Sequence, residues 1–245
     1  PAEAYKRASV VLRDSKARRY VGALAYHLYD TKVSELARDL AHMRNLAAEH
    51  GIPIWMTEFS VPNDITFSGA MEWMKIIHTL VATYNVSAVD YMWGFFGAWE
   101  KNHTILSIEF LDGQYVQHHV GPLYYLTGQF SKFVRPGLVR VETHSSSQDL
   151  LVTAYKSGSQ SVIVAINAGH EDRRVNVTVT DAVAPLHFSA IRTTAREFWS
   201  ELEPIASDTS TFNVALPAQS VTTYRGGSID SAGTLSGVGI KKSAQ

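Results

Sequence analysis

The carboxylate of Glu58 ends the short apolar run Ile52 to Trp55 within the string Trp55-Met56-Thr57-Glu58-Phe59-Ser60. That is the point where a strand should give way to a loop. In a barrel of alternating strands and helices, strand ends of this kind form the active-site face. The plainer role for such a glutamate is a helix cap or a solvated loop charge. Two further segments end in the same manner. Tyr20 to Tyr29 closes on Tyr26-His27-Leu28-Tyr29-Asp30, and Val86 to Trp93 opens into the aromatic run Trp93-Gly94-Phe95-Phe96-Gly97-Ala98-Trp99. Polar or aromatic residues thus gather where three strands finish, which must be one face.

The intervening sequence supplies the elements that would hold them there. Val33 to His50 reads as a helix, with Leu36, Leu40, Met43 and Ala47 on one face and Gly51 as its stop. Ser68 reads as the cap of a second helix reaching about Tyr84, whose buried stripe is Met71, Met74, Ile77, Leu80 and Val81. Alternating strands and helices predict a parallel sheet. Three parallel strands cannot close a barrel, so the open edges and the apolar inner layer call for a cover. A second copy of the chain, another polypeptide or a further stretch of this one would supply it.

Beyond about Val120 the pattern changes. Thr104 to Phe110 and Gln114 to His119 flank Leu111-Asp112-Gly113, a hairpin signal, and Pro122 to Phe133 reads as a helix stopped by Arg135-Pro136-Gly137. Short segments rich in β-branched and aromatic residues follow at 138–142, 150–156, 161–167, 174–180, 192–198 and 220–224, separated by Ser, Gly, Asn and Asp. They predict an antiparallel β-sandwich. Val175, Val177 and Val179 alternate with Asn176, Thr178 and Thr180, giving one buried and one wet face. The expected organisation is therefore α/β plus all-β: a partial (β/α)8 barrel over residues 1–119, a β-sandwich with its connecting helix over 120–226, and a mobile tail over 227–245.

Composition narrows the function. With 22 basic and 23 acidic residues spread along 245, the formal charge is -1 and no basic stripe offers itself to nucleic acid. The longest apolar stretch, Tyr91 to Trp99, is far shorter than the ~20 residues of a membrane helix, so no membrane insertion is expected. The absence of cysteine excludes disulfides and thiolate metal sites and fits either a bacterial secreted or a cytosolic protein. The chain starts at Pro1 without Met, either because a leader has been removed or because it is part of something longer. His118-His119 is adjacent rather than at ligand spacing and reads as a surface pair, and no phosphate loop, nucleophile elbow or dinucleotide fingerprint occurs. No metal and no cofactor is expected. Asn-x-Ser/Thr triplets at Asn85, Asn102 and Asn176 matter only in a eukaryotic secretory route.

Taken in order, His27-Leu28-Tyr29, Ile54-Trp55-Met56-Thr57-Glu58, Tyr91-Met92-Trp93, the run Gly121 to Tyr125 through Gln129 to Gly137, and Leu216 to Thr223 resemble the C-terminal part of glycoside hydrolase family 30. These are retaining β-glycosidases with a (β/α)8 barrel and an attached β-sandwich, and the likeness spans roughly residues 18–226. It implies that the three strands are the sixth, seventh and eighth of the barrel and that Glu58 falls on the family's nucleophile. In a retaining mechanism one carboxylate attacks the anomeric carbon, while a second, ~5 Å away, protonates the leaving oxygen and later activates water. By the same likeness His27, Tyr29, Trp93 and Trp99 would hold a saccharide substrate. Core packing is the plainer role for Trp93, Phe95, Phe96 and Trp99, and a structural hydrogen bond for His27. The resemblance favours a secreted protein, with a cytoplasmic one also open.

One departure matters. The family's acid/base glutamate follows an asparagine at the end of the fourth strand, and this chain contains no Asn-Glu pair. The family's N-terminal strand of the sandwich has no counterpart either. Glu100 and Glu109 are the nearest substitutes in sequence. Three functions are compatible with these residues: a β-glycoside hydrolase working through Glu58, a carbohydrate-binding module or pseudoenzyme that binds without turnover, and an assembly role in which the open barrel face is the interface of a homo-oligomer.

Overall fold

The computed structural model describes residues 1–29, 33–60, 66–97, 104–158, 160–180, 182 and 184–228. The chain forms two compact units, Pro1–Tyr124 and Tyr125–Gln245.

The first unit opens with helix α1 (Ala2–Arg13), an element with no counterpart among the segments read from sequence. Its apolar content is thin: Leu12 is buried, whereas Val10 and Val11 are largely exposed. Strand β1 (Leu24–Leu28) starts later than the expected Tyr20, because Arg18–Tyr20 closes a 3-10 turn in which Val21 N–H donates to Arg18 O at 3.1 Å. A 3-10 turn at Val33–Leu36 leads into α2 (Ala37–His50), which Gly51 terminates at φ 63, a left-handed angle that glycine adopts without steric cost. Strand β2 (Ile54–Phe59) runs two residues later than the strand expected over Ile52 to Thr57, so Glu58 lies inside it rather than just past it. Helix α3 (Phe67–Ala82) is capped by Thr66, whose Oγ1 accepts from Gly69 N–H at 3.2 Å; Ser68, the expected cap, sits in the first turn. The third strand is reduced to β3 (Ala88–Val89), yet backbone bonds carry the pairing further, with Met92 N–H donating to Phe59 O at 2.8 Å.

These strands form a parallel sheet in the order β1-β2-β3. One face buries Leu24, Tyr26, Leu28, Ile54, Met56 and Phe59, together with Leu40, Met43 and Ala47 of α2 and Met71, Trp73 and Met74 of α3. Phe59 stacks on Trp73 with ring centroids 5.0 Å apart. Each such side chain removed from water contributes roughly 1.5–3 kcal/mol. That layer holds the strand ends in place. A second small sheet follows, in the order β4-β5-β6: β4 (Phe95–Gly97) runs parallel to β5 (Leu106–Leu111), and β5 pairs antiparallel with β6 (Gln114–Val120). Its hairpin turn places Asp112 at φ 51 and Gly113 at φ 76, the pair of positive angles that a two-residue turn of this hand requires.

Helix α4 (Pro122–Ser131) crosses the boundary between the units. The second unit contains eight strands among its described residues: β7 (Val139–Val141), β8 (Leu150–Ser157), β9 (Gln160–Asn167), β10 (Arg173–Thr178), β11 (Leu186–Thr193), β12 (Ser200–Ser207), β13 (Thr211–Leu216) and β14 (Ser220–Ser228). They make a six-stranded sheet, β12-β11-β14-β9-β8-β7, and a two-stranded one, β10-β13. Both contribute to a core of Leu150, Ile163, Ala165, Leu186, Phe188, Phe212, Val214, Leu216 and Tyr224. Asn176 and Thr178 are exposed while Val175 and Val177 pack against that core, as the alternation predicts. On the six-stranded sheet, fully buried Gln129 donates to Thr193 Oγ1 at 2.8 Å and accepts from Thr223 Oγ1 at 2.6 Å. The strand expected at 192–198 is corrected: β11 ends at Thr193, and Thr194 Oγ1 then accepts from the N–H groups of Arg196 and Glu197 to make a turn. β12 and β13 have no counterpart in the sequence reading. β14 continues to Ser228, into the segment expected as tail from 227, and 229–245 lie outside the described residues.

Candidate active site

The face of β1 and β2 turned away from the helices carries Ala25, His27, Trp55 and Glu58. Its composition follows from a break in register. Leu24, Ala25 and Tyr26 pair with Ile54, Trp55 and Met56, and then His27 pairs with Glu58, leaving Thr57 as an extra residue. Strict alternation would send Glu58 to the side on which Ile54 and Met56 are buried. The bulge turns it to the open face beside His27, the kind of re-aiming for which such irregularities occur near active sites.

Three groups then converge. Tyr29 Oη donates to Glu58 Oε2 at 2.8 Å, and His27 Nδ1 lies 3.3 Å from the same oxygen. The Tyr29 hydroxyl is also 3.3 Å from Met92 Sδ, which ties the ends of all three strands to one point. Two partners on one oxygen fix the plane of the carboxylate while it stays accessible, at 35% side-chain exposure. Trp93 is 41% exposed and its ring packs on Phe96 with centroids 4.7 Å apart. Its carbonyl accepts from Ile105 N–H at 3.1 Å, anchoring the aromatic to the next strand. Trp99 lies outside the described residues, as do Asp30 and Glu100. The structure therefore brings Glu58, His27 and Tyr29 together, with Trp93 one residue beyond Met92. Two neighbours were not singled out from sequence: Trp55, 43% exposed on the same sheet face, and Met92. The bulge conceals Trp55, since an unbroken alternation sets it apart from Glu58.

Partial burial, the hydrogen bond to Glu58 and that carboxylate's charge push the Tyr29 phenol up to about 12. Raised above its ordinary value near 10, the group favours the folded state while protonated. Its contribution is complete below that ordinary value and is lost as pH rises through about 12. Tyr29 is thus a donor throughout the neutral range. We expect the phenolate absorbance assigned to Tyr29, by difference from Tyr29→Phe, to emerge only near pH 12, and to emerge earlier in Glu58→Gln; a titration unchanged by Glu58→Gln would show that the carboxylate does not hold the phenol.

A cavity of about 590 Å³ runs along the free edge of β1, lined by Glu3, Arg7 and Val11 of α1 and by Ala25, Tyr26 and His27. Among the described residues β1 pairs with β2 alone, and its other edge faces this cavity. Among the described residues no three His, Asp or Glu side chains are grouped to hold a metal ion, and no helix is long and apolar enough to cross a membrane.

In this chain a parallel sheet backed by helices precedes an antiparallel β-sandwich. The chain carries the C-terminal part of the glycoside hydrolase family 30 architecture: residues 137–224 match the glycosyl hydrolase family 30 beta sandwich domain. It is 30% identical over 227 residues to glucuronoxylanase XynC of Bacillus subtilis, covering 87% of this chain and 48% of that protein. Among solved structures it is similar to a family 30 endoxylanase of Clostridium papyrosolvens C71, at 28% identity and TM-score 0.73 over 90% of this chain and 53% of that one. The family 30 subfamily 8 xylanase Xyn30A of Clostridium acetobutylicum is similar at 26% identity and TM-score 0.69, over 90% and 52%. The chain spans about half the length of the curated relatives it matches.

Proposed function

We propose that this chain is the nucleophile-bearing part of a retaining β-glycosidase, with Glu58 as nucleophile and a β-linked xylan as substrate class. The observation that carries this is the convergence of Tyr29 and His27 on Glu58 Oε2, on an open face at the strand ends. In the reaction the Glu58 carboxylate bonds to the anomeric carbon as the bond to the leaving oxygen breaks. Water then adds to that carbon and the carboxylate is released. Tyr29 holds the carboxylate in its attacking orientation, and Trp93 offers a ring face to the sugar. Xylan enters because the relatives are named for xylan hydrolysis. The acid/base carboxylate would come from strands added beside β1, where the cavity lies, whether a further stretch of this chain, a second copy or a complementing chain supplies them.

The test is covalent trapping. A fluoro-deoxy xylobioside with a dinitrophenolate leaving group needs no acid catalyst to lose its phenol, so it reports the nucleophile alone. We expect one glycosyl adduct, mapped to the peptide containing Glu58 and absent from Glu58→Gln. An adduct elsewhere overturns the assignment. Saccharide binding with no adduct would instead favour a binding module or pseudoenzyme, the reading that the missing Asn-Glu pair supports.

A further inference from the structure

The sheet β4-β5-β6 presents a second polar cluster that the site described above does not use. Its register sets Phe96, Ser107 and His119 in one row across the three strands, and Glu109 opposite Gln117 two residues further along β5, about 7 Å away on the same face. Glu109 Oε2 accepts from Gln117 Nε2 at 2.8 Å and lies 2.8 Å from His119 Nε2. Ser107 beneath them is buried and shares a hydrogen bond of 2.7 Å with Thr104. The cluster thus stands on a fixed floor with Glu109 and His119 each more than a third exposed. Phe96, in the first row, packs on Trp93.

We infer that this face, comprising Phe96, Glu109, Gln117 and His119, is a saccharide subsite that extends the Glu58 site past Trp93. Acceptors and donors side by side, next to an aromatic ring, match a pyranose, which offers hydroxyls on its rim and C–H groups on its faces. Among its described residues the cluster has one carboxylate, fewer oxygen ligands than a metal ion takes. The inference rests on the saccharide reading proposed above and adds a distal contact that only longer chains reach.

A cross-strand pair also stabilises a hairpin, so the test must separate the two roles. Tyr115 provides the control: it lies on the opposite face of the hairpin, where its hydroxyl is 2.9 Å from His118 Nδ1. Calorimetric titration would use the chain carrying Glu58→Gln, so that nothing is turned over, with xylobiose and xylohexaose as ligands. Adding Glu109→Ala is expected to weaken xylohexaose about tenfold, the loss of hydrogen bonds to a charged group, and to leave xylobiose unchanged. Adding Tyr115→Ala should change neither. Equal losses for both ligands, or no loss for xylohexaose, would overturn the subsite. A parent chain that binds neither ligand would overturn the saccharide reading and this inference with it, an outcome distinct from the first two.

Discussion

Glu58→Gln is expected to lower nitrophenolate release from a nitrophenyl xylobioside by about ten-thousand-fold or more, the scale of losing a covalent nucleophile. The amide keeps the size of the side chain, and its oxygen can still accept from Tyr29, but it cannot form the glycosyl ester. Because the group is partly exposed and outside the buried layer of Met56 and Phe59, the melting temperature should stay within a few degrees of the parent. Tyr29→Phe should do less. It leaves the proposed nucleophile and removes one donor, a hydrogen bond to a charged group, which corresponds to about ten- to a hundredfold. The ordering matters more than either magnitude. If Tyr29→Phe were as damaging as Glu58→Gln, the tyrosine would have to act on the substrate directly. Full activity in Glu58→Gln would remove Glu58 from the chemistry altogether.

Those two residues also show how far the sequence could be read. The sequence periodicity that places Leu40, Met43 and Ala47 on one face of α2, and the glycine that ends it, are local properties, and the structure follows them. The same holds for Asp112-Gly113, whose backbone angles are what that dipeptide favours. What was missed depends on tertiary contacts. Helix α1 has few apolar residues to betray a period, and packs through Leu12 and through Tyr5, whose ring lies 5.2 Å from His42. β12 carries Pro204 and two glutamates and looks like a loop; it persists because it pairs along β11 at the rim of the six-stranded sheet. Ser68 and Thr66 are both good caps by type; Thr66 takes the role because its own backbone is extended at ψ 162 while Ser68 is already helical.

For the candidate site the sequence offers residues but not their wiring. His27, Tyr29, Glu58 and Trp93 stand out because polar and aromatic side chains end otherwise apolar strands. Nothing in the sequence indicates that Thr57 is the extra residue of a bulge, and with it that Glu58 and Trp55 share a face. A bulge is set by the pairing of two strands separated by a helix, which is a non-local property. For the same reason the contacts of His27 and Tyr29 with the carboxylate leave no signal in the sequence.

The largest effect expected on stability comes from Gly226→Ala in the sandwich unit. Gly226 pairs with Phe188 of β11 on one side and Ser161 of β9 on the other, in the interior of the six-stranded sheet. A Cβ added there would lie 1.8 Å from the backbone oxygen of His187 and 2.8 Å from Phe188 Cα, far inside contact distance. Backbone atoms cannot rotate away as a side chain can, so β11 and β14 must separate and lose ladder bonds on both sides. We expect a cost of about 4 kcal/mol or more, among the largest for a single methyl group, and a fall of at least about 15 °C in the melting transition of that unit. Gly22→Ala is the matched control, with open space where its Cβ would go, and should change stability by no more than about 0.5 kcal/mol. Gly128 lies between the two. The three atoms nearest its added Cβ all belong to the ring of Trp199, a side chain, but that ring is held by a bond of 2.7 Å from its Nε1 to Tyr125 O, so a part of the cost should remain. Thermal unfolding of the three variants, followed by circular dichroism, should therefore rank them Gly226, Gly128, Gly22 in order of damage. A Gly226→Ala variant melting with the parent would mean that β14 does not approach β11 as closely as its register implies.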